Sequence, residues 1–216
     1  MPDTWTRTAP VARSPITVAG PRSVVSGWEV STRRSSAALR LSDASPLAKL
    51  SVRADADGAF AYALDVPFLR CRREDDVLVI GSGPGEWLLL GPAGTTAGLR
   101  ERVEGLTGED PVTTVDLTHG RALMRMTGRA AAQALAKVCA IDLDDSVTPD
   151  GTAFRTSVAK IATDVVRDDA GAGTGEPSYL LHCERSSGQY LFDCLLDAGR
   201  EFGVEPDGSD LDGNGA

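Results

Sequence analysis

Short apolar runs separated by turn residues set the rhythm of the chain's middle: Val66–Cys71, Val77–Gly81 and Trp87–Leu90. Runs this short, bounded by Gly, Pro and Asp, predict strands. A helix is predicted from about Thr95 to Leu106, and Pro111 marks a seam. Beyond it, strands are predicted over Val112–Thr118, Arg121–Met126, Ala153–Val158, Lys160–Arg167 and Ser178–Cys183. A helix is predicted over about Arg129–Cys139, and a last one over Ser187–Phe202.

The last helix has the clearest period. Leu191, Cys194, Leu195, Ala198 and Phe202 fall on one stripe of a 3.6-residue repeat. Ser186-Ser187-Gly188-Gln189 fits the capping box that meets the free N–H groups of a first turn. In Arg121–Met126 the period is two: Ala122, Met124 and Met126 share one face, and Arg121, Leu123 and Arg125 the other. Glu86–Leu90 and Ser178–His182 each set an aromatic and a leucine pair before a turn and a helix. This echo suggests two related halves. Strands and helices without strict alternation predict the α+β class.

Residues 1–44 show no sustained period. Arg7, Arg13, Arg22, Arg33, Arg34 and Arg40 outnumber Asp3, Glu29 and Asp43, so the segment reads as disordered or as a basic arm that docks a partner. The expected organisation is that arm, subdomains over 45–110 and 111–204, and an acidic, disordered tail over 205–216. Asp210, Asp212 and Gly213 have the look of a calcium loop but lack its closing glutamate, so a solvated tail is expected.

The net charge of −9 argues against a nucleic-acid surface or an anionic membrane as partner. No apolar run nears the ~20 residues of a membrane span, and no secretory signal is visible, so a cytoplasmic location is expected. The four cysteines form no C-x-x-C pair and read as reduced, small hydrophobes. With two histidines and no H-x-x-H, no metal site is expected.

The best candidate for chemistry is Asp116, Thr118, His119 and Arg121. A histidine between a carboxylate and an arginine can exchange protons near neutrality. A turn between strands would equally carry these groups for structural reasons. Gly81–Glu86 is glycine-rich, but a strand follows it, so it reads as a turn rather than a phosphate loop. His182 and Cys183 are adjacent on a strand and must face opposite sides, which rules out a nucleophile–base pair. Asp164, Asp168, Asp169 and the glycine run 170–175 read as a solvated acidic loop.

Glu86–Gly91, Val115–Leu123, Gly128–Ala131, Arg155–Ala159 and Tyr190–Ala198 together resemble the gamma subunit of heterotetrameric sarcosine oxidase over residues 45 to 204. That subunit is itself similar to the folate-binding domain of the glycine-cleavage T-protein, an aminomethyltransferase. Asp116, Thr118, His119, Gly128 and Ala131 fit the shared pattern of Asp-x-(Ser/Thr)-His, a strand, and a Gly-x-x-Ala helix start.

The resemblance implies two βα-type, ferredoxin-like subdomains with flexible tails. It also implies a non-catalytic subunit that assembles with alpha, beta and delta subunits. The complex demethylates sarcosine oxidatively to glycine and hydrogen peroxide and, with tetrahydrofolate, forms methylenetetrahydrofolate. FAD, FMN, NAD and tetrahydrofolate would lie on the partners and none on this chain. Asp116, Thr118, His119 and Arg121 would then mark a vestigial pocket. The alternatives are a stand-alone folate-binding protein or aminomethyltransferase, and an adaptor that docks an acidic partner through its basic arm.

Overall fold

A strand that is apolar on both faces has to be covered on both. Val77–Ile80 and Trp87–Leu90 are buried throughout, and so is Ala122–Met126, Arg125 included. The computed structural model, which describes residues 10–108, 111–209 and 211, meets this demand with two sheets packed face to face and helices outside each.

The chain opens with β1 (Ala12–Arg13), β2 (Arg22–Val25) and β3 (Trp28–Ser31), which form a small sheet in the order β1-β3-β2. Next come β4 (Arg40–Asp43), β5 (Ala48–Arg53), α1 (Ala59–Leu64), β6 (Cys71–Glu74), β7 (Val77–Gly83), β8 (Glu86–Gly91), α2 (Thr96–Thr107) and β9 (Thr113–Asp116). The remainder is β10 (Arg121–Thr127), α3 (Ala131–Ala136), β11 (Ala153–Val158), β12 (Ile161–Arg167), β13 (Ser178–Glu184), α4 (Gly188–Gly199) and β14 (Glu205–Ser209). A five-stranded sheet runs β6-β7-β8-β5-β9, and a six-stranded one runs β11-β12-β13-β10-β4-β14.

Three apolar clusters follow from the period-two alternation. Leu50, Val79, Trp87 and Leu89 of the five-stranded sheet pack with Phe60 of α1 and with Leu99 and Val103 of α2. Met124, Met126, Tyr179 and Leu181 of the six-stranded sheet pack with Leu135 of α3 and with Leu191 and Leu195 of α4. The opposite faces, with Leu78, Ile80, Leu88, Leu90, Leu123, Val166 and Leu180, form a third cluster. The layers therefore run helix, sheet, sheet, helix. The mixed α and β content matches the expectation, and so does the burial of Ala122, Met124 and Met126 on one face.

Several expectations need correction. Residues 10–44 are not a loose arm. Ile16, Val18, Leu39 and Leu41 lie in the core, and β4 sits inside the six-stranded sheet against β10. Four apolar residues at irregular spacing give no period to read. Nor is the start of the acidic tail solvated: Glu205 and Pro206 of β14 pair in parallel with Arg40 and Leu41. Asp210, Asp212 and Gly213 lie outside the described residues.

The seam at Pro111 is not where the chain changes sheets. β9 follows Pro111 yet pairs with β5, and the crossing comes at 117–120. Val66–Cys71 is no strand, because Pro67 lacks a ladder N–H and Leu69 takes a left-handed φ of 68°. The strand starts only at Cys71. The capping box does not form either. A 3₁₀ turn over Arg185–Ser187 leads into α4, and Gln189 instead accepts from Thr17 N at 2.7 Å and donates to Asp193 at 2.9 Å.

Candidate functional site

The chain passes between the two large sheets at one corner, going out through Ala44–Leu47 and returning through Leu117–Gly120. Asp116, Thr118, His119 and Arg121 all lie on the return. Asp116 Oδ1 accepts from Thr118 N at 2.9 Å, an Asx turn that folds the end of β9 back on itself. Thr118, buried, accepts from Lys49 N through its hydroxyl at 3.0 Å.

Lys49 is 0% exposed. Its Nζ donates to Ser45 O at 2.6 Å and Leu47 O at 2.8 Å, and reaches Thr118 O at 3.4 Å. One ammonium thus ties the outgoing crossing to the returning one. Burial pushes Lys49 down to about 7, against the nearby charges of Asp43 and Asp116. Three carbonyls are arranged to receive its protons, and that geometry favours the ammonium form. Asp43 is buried beside it and accepts from Ser45 N at 2.9 Å; burial raises its pKa.

His119 does not face Asp116 as a base would. It is exposed and stacks on Trp28 of β3, centroids 4.7 Å apart and planes 11° off parallel. Its carbonyl accepts from Arg185 Nη1 at 3.3 Å, while Arg185 Nη2 donates to Arg13 O at 2.7 Å. The small sheet is pinned to the corner in this way. Arg121 pairs with Glu184, its cross-strand neighbour on β13, at 2.5 Å. The four residues named from sequence are brought to one corner, but they point to different partners and converge on no common point. Their arrangement holds a crossing together.

The acidic residues read as a solvated loop behave otherwise. Asp164 lies inside β12, and Asp168 is 4% exposed. Asp168 receives Arg73 of β6 at 2.6 Å and Arg125 of β10 at 2.9 Å. Burial would raise Asp168, and the two guanidinium groups outweigh it to lower its pKa. Arg167 binds Asp145 at 2.5 Å, Asp169 at 3.1 Å and Thr148 O at 2.7 Å. The missed signal was Arg125, a charge at a position where the strand alternation places a side chain between the sheets.

His182 and Cys183 do face opposite ways: Cys183 joins the outer core, and His182 points between the sheets. All four cysteines are free thiols. Burial pushes Cys71 up to about 12 and Cys183 up to about 11, which suits packing rather than nucleophilic attack. Among the described residues, no three of His, Cys, Asp and Glu gather as metal ligands, and no helix is long and apolar enough to cross a membrane.

A double crossing between two helix-backed sheets defines a class by fold. The chain belongs to the family of the GCVT N-terminal domain, whose model matches residues 27–210. Among curated relatives, sarcosine oxidase subunit gamma of Corynebacterium sp. (strain P-1) is 30% identical over 128 residues, 59% of this chain and 59% of that one. The same subunit of Corynebacterium sp. (strain U-96) is 32% identical over 124 residues, 57% of each chain. The chain therefore matches less than two thirds of the length of these relatives. An aminomethyltransferase of Geobacillus thermodenitrificans is 31% identical over 138 residues, 62% of this chain but 35% of its own.

Among solved structures, heterotetrameric sarcosine oxidase from Corynebacterium sp. U-96 superposes with a TM-score of 0.66 at 24% identity, covering 81% of this chain and 90% of that one. Aminomethyltransferase T of the glycine cleavage system from Bartonella henselae gives 0.65 at 18%, covering 88% of this chain and 56% of that one. Both show a shared fold.

Proposed function

We propose that this chain is a non-catalytic, gamma-type subunit of a heterotetrameric sarcosine oxidase, working in the cytoplasm beside alpha-, beta- and delta-type partners. Its two sheet-and-helix halves are read as ferredoxin-like subdomains serving as an assembly platform. FAD, FMN, NAD and tetrahydrofolate belong on the partners, where sarcosine is oxidatively demethylated. The observation that carries this reading is the 30–32% identity to curated gamma subunits. It is supported by the commitment of Asp116, Thr118 and Arg121 to structural bonds. Asp116, Thr118, His119 and Arg121 are then the rim of a vestigial pocket rather than catalytic groups.

Co-expression with the chromosomal neighbours tests the reading. A stable complex that oxidises sarcosine, from which omission of this chain lowers the yield of flavin-loaded complex, is expected. Bound flavin and sarcosine oxidation by the chain alone would overturn it. The aminomethyltransferase likeness supports a second reading, a stand-alone folate-binding protein. Calorimetry with tetrahydrofolate separates the two, since only the second expects saturable binding that Asp116→Ala weakens.

A further inference from the structure

The small sheet of β1, β3 and β2 has two unlike faces. Its register sets Arg13 beside Glu29 and Glu29 beside Val24, and Arg22 lies two positions from Val24. Alternation puts these four on one face, and Trp28 and Val30 on the other. Trp28 and Val30 are buried, and Trp28 carries the stacked ring of His119. The face with the arginines is turned to solvent. Val24 is 59% exposed, as is Val11 at 48% just before β1, and the side chain of Arg13 is 80% exposed.

Glu29 is the only acidic residue from Pro10 to Ser42. It is shared: Arg13 Nε meets Oε2 at 2.9 Å, and Arg22 Nη1 meets Oε1 at 3.5 Å. One negative charge thus answers two positive ones. A third guanidinium stands at the rim. Arg185 donates to Arg13 O and His119 O, and among the described residues it meets no carboxylate.

The face therefore carries excess positive charge and two exposed valines on a chain whose net charge is −9. Charge complementarity makes it attractive to an anionic partner. The overall charge limits the partner's size. A long polyanion or an anionic membrane would extend past the arginines onto surface of its own sign, and a short acidic segment would not.

We propose that the outer face of the small sheet docks a short acidic segment of another protein, with carboxylates on Arg13 and Arg22 and apolar side chains on Val11 and Val24. Glu29 holds the two guanidinium groups side by side and competes with the incoming carboxylates. The proposal stands apart from the gamma-subunit reading, because it concerns the chemistry of the segment and is tested without partner subunits.

The probe is the fluorescent peptide Glu-Glu-Leu-Glu-Glu-Leu-Glu-Glu, titrated into the full chain at low salt and followed by anisotropy. Saturable binding is expected. Arg13→Gln with Arg22→Gln is expected to weaken it about tenfold, and Glu29→Gln to tighten it several-fold. Arg100→Gln with Arg200→Gln removes the same charge from exposed positions elsewhere and is expected to leave binding unchanged. Should the Arg13 and Arg22 variant fail to fold, Glu29→Gln decides. Absence of binding by the wild type, equal binding by the Arg13 and Arg22 variant, an equal loss in the control pair, or no gain from Glu29→Gln would each overturn the proposal. Tighter binding of single-stranded DNA or of phosphatidylserine vesicles than of the peptide would overturn it too. So would a dimer in sedimentation that the Arg13 and Arg22 variant dissolves, since the occupant would then be a second copy.

Discussion

Arg73 and Asp168 clasp the two large sheets together: Nη2 meets Oδ2 at 2.6 Å and Nε meets Oδ1 at 3.2 Å, across 95 positions of sequence. Arg125 joins the same carboxylate at 2.9 Å and also reaches Asp168 O at 3.1 Å and Ser178 Oγ at 2.8 Å. One buried carboxylate thus offsets two guanidinium charges. Removing one partner of such a cluster typically costs about 3–5 kcal/mol, because the remaining charge stays in low dielectric. Asp168→Ala is expected to lose that much in urea unfolding. Arg73→Met should lose less, since the Arg73 side chain is 29% exposed and a solvated charge has less to lose.

The crossing corner allows a finer test. Thr118 serves through its hydroxyl, which accepts from Lys49 N. Thr118→Ser keeps that oxygen and should unfold within about 1 kcal/mol of the wild type, while Thr118→Val leaves a buried N–H unmet at a cost of about 1–3 kcal/mol. A Thr118→Ser chain that loses more stability than Thr118→Val, which keeps a methyl group, would show that the methyl group, not the hydroxyl, matters.

His119 is expected to matter modestly and for packing. Stacked aromatic pairs contribute about 0.5–1.5 kcal/mol beyond burial. His119→Ala should lose about that much, and His119→Phe should recover most of it because the contact to Trp28 is ring on ring. If the chain is the proposed gamma-type subunit, sarcosine oxidation by the co-expressed complex should be unchanged by either. A large loss of turnover with wild-type stability would restore an acid–base role to this residue.

The helix-and-strand skeleton was legible where period and length agree. The stripe from Leu191 through Ala198 gave α4, and the glycine-rich stretch 81–86 gave the hairpin between β7 and β8. Pairing was not legible. Nothing local in Arg40–Asp43 says that it lies between β10 and β14, because a four-residue strand is defined by its neighbours rather than by its own alternation. The site failed in the same way. Asp116 and His119 are three residues apart, which suggests a pair, yet the Asx turn sends one inward to the backbone and the other out to Trp28. Arg155, Asp164 and His182 are spread over 28 positions, and only the strand register brings them into one row.

Gly128 offers a backbone test of the way β10 runs into α3. Its φ is +139°, and a Cβ there would lie 2.1 Å from Ala38 O. A side chain in that conformation is strained by about 1–3 kcal/mol before any clash. Gly128→Ala should therefore be among the most damaging single-methyl additions, lowering the melting temperature well beyond what Gly98→Ala does in α2, where nothing lies within 4 Å of the added Cβ.

The row between the sheets also sets how the chain responds to acid. Burial alone would raise Asp164, but the hydrogen bonds from His182 and Arg155 outweigh it and bring the carboxyl to about 2, from an ordinary value of 3.8. As pH falls, the unfolded chain takes up this proton first. The stability Asp164 contributes is thus complete above about pH 4 and is lost as pH drops towards 2, a difference of about 2 kcal/mol. Asp168, also depressed, adds a loss of the same sign. His182 acts earlier. Its folded pKa is lowered, so the unfolded imidazole binds protons first and stability begins to fall as pH drops below about 6.5. Lys49, brought down to about 7, makes stability fall already as pH drops from about 10 to 7; below that, urea midpoints measured from pH 7 to pH 2.5 should decline in two stages. His182→Leu should remove the upper stage and Asp164→Asn should shallow the lower one. A midpoint flat from pH 6.5 down to pH 4 in the wild type would show that the imidazole is not held neutral between the sheets.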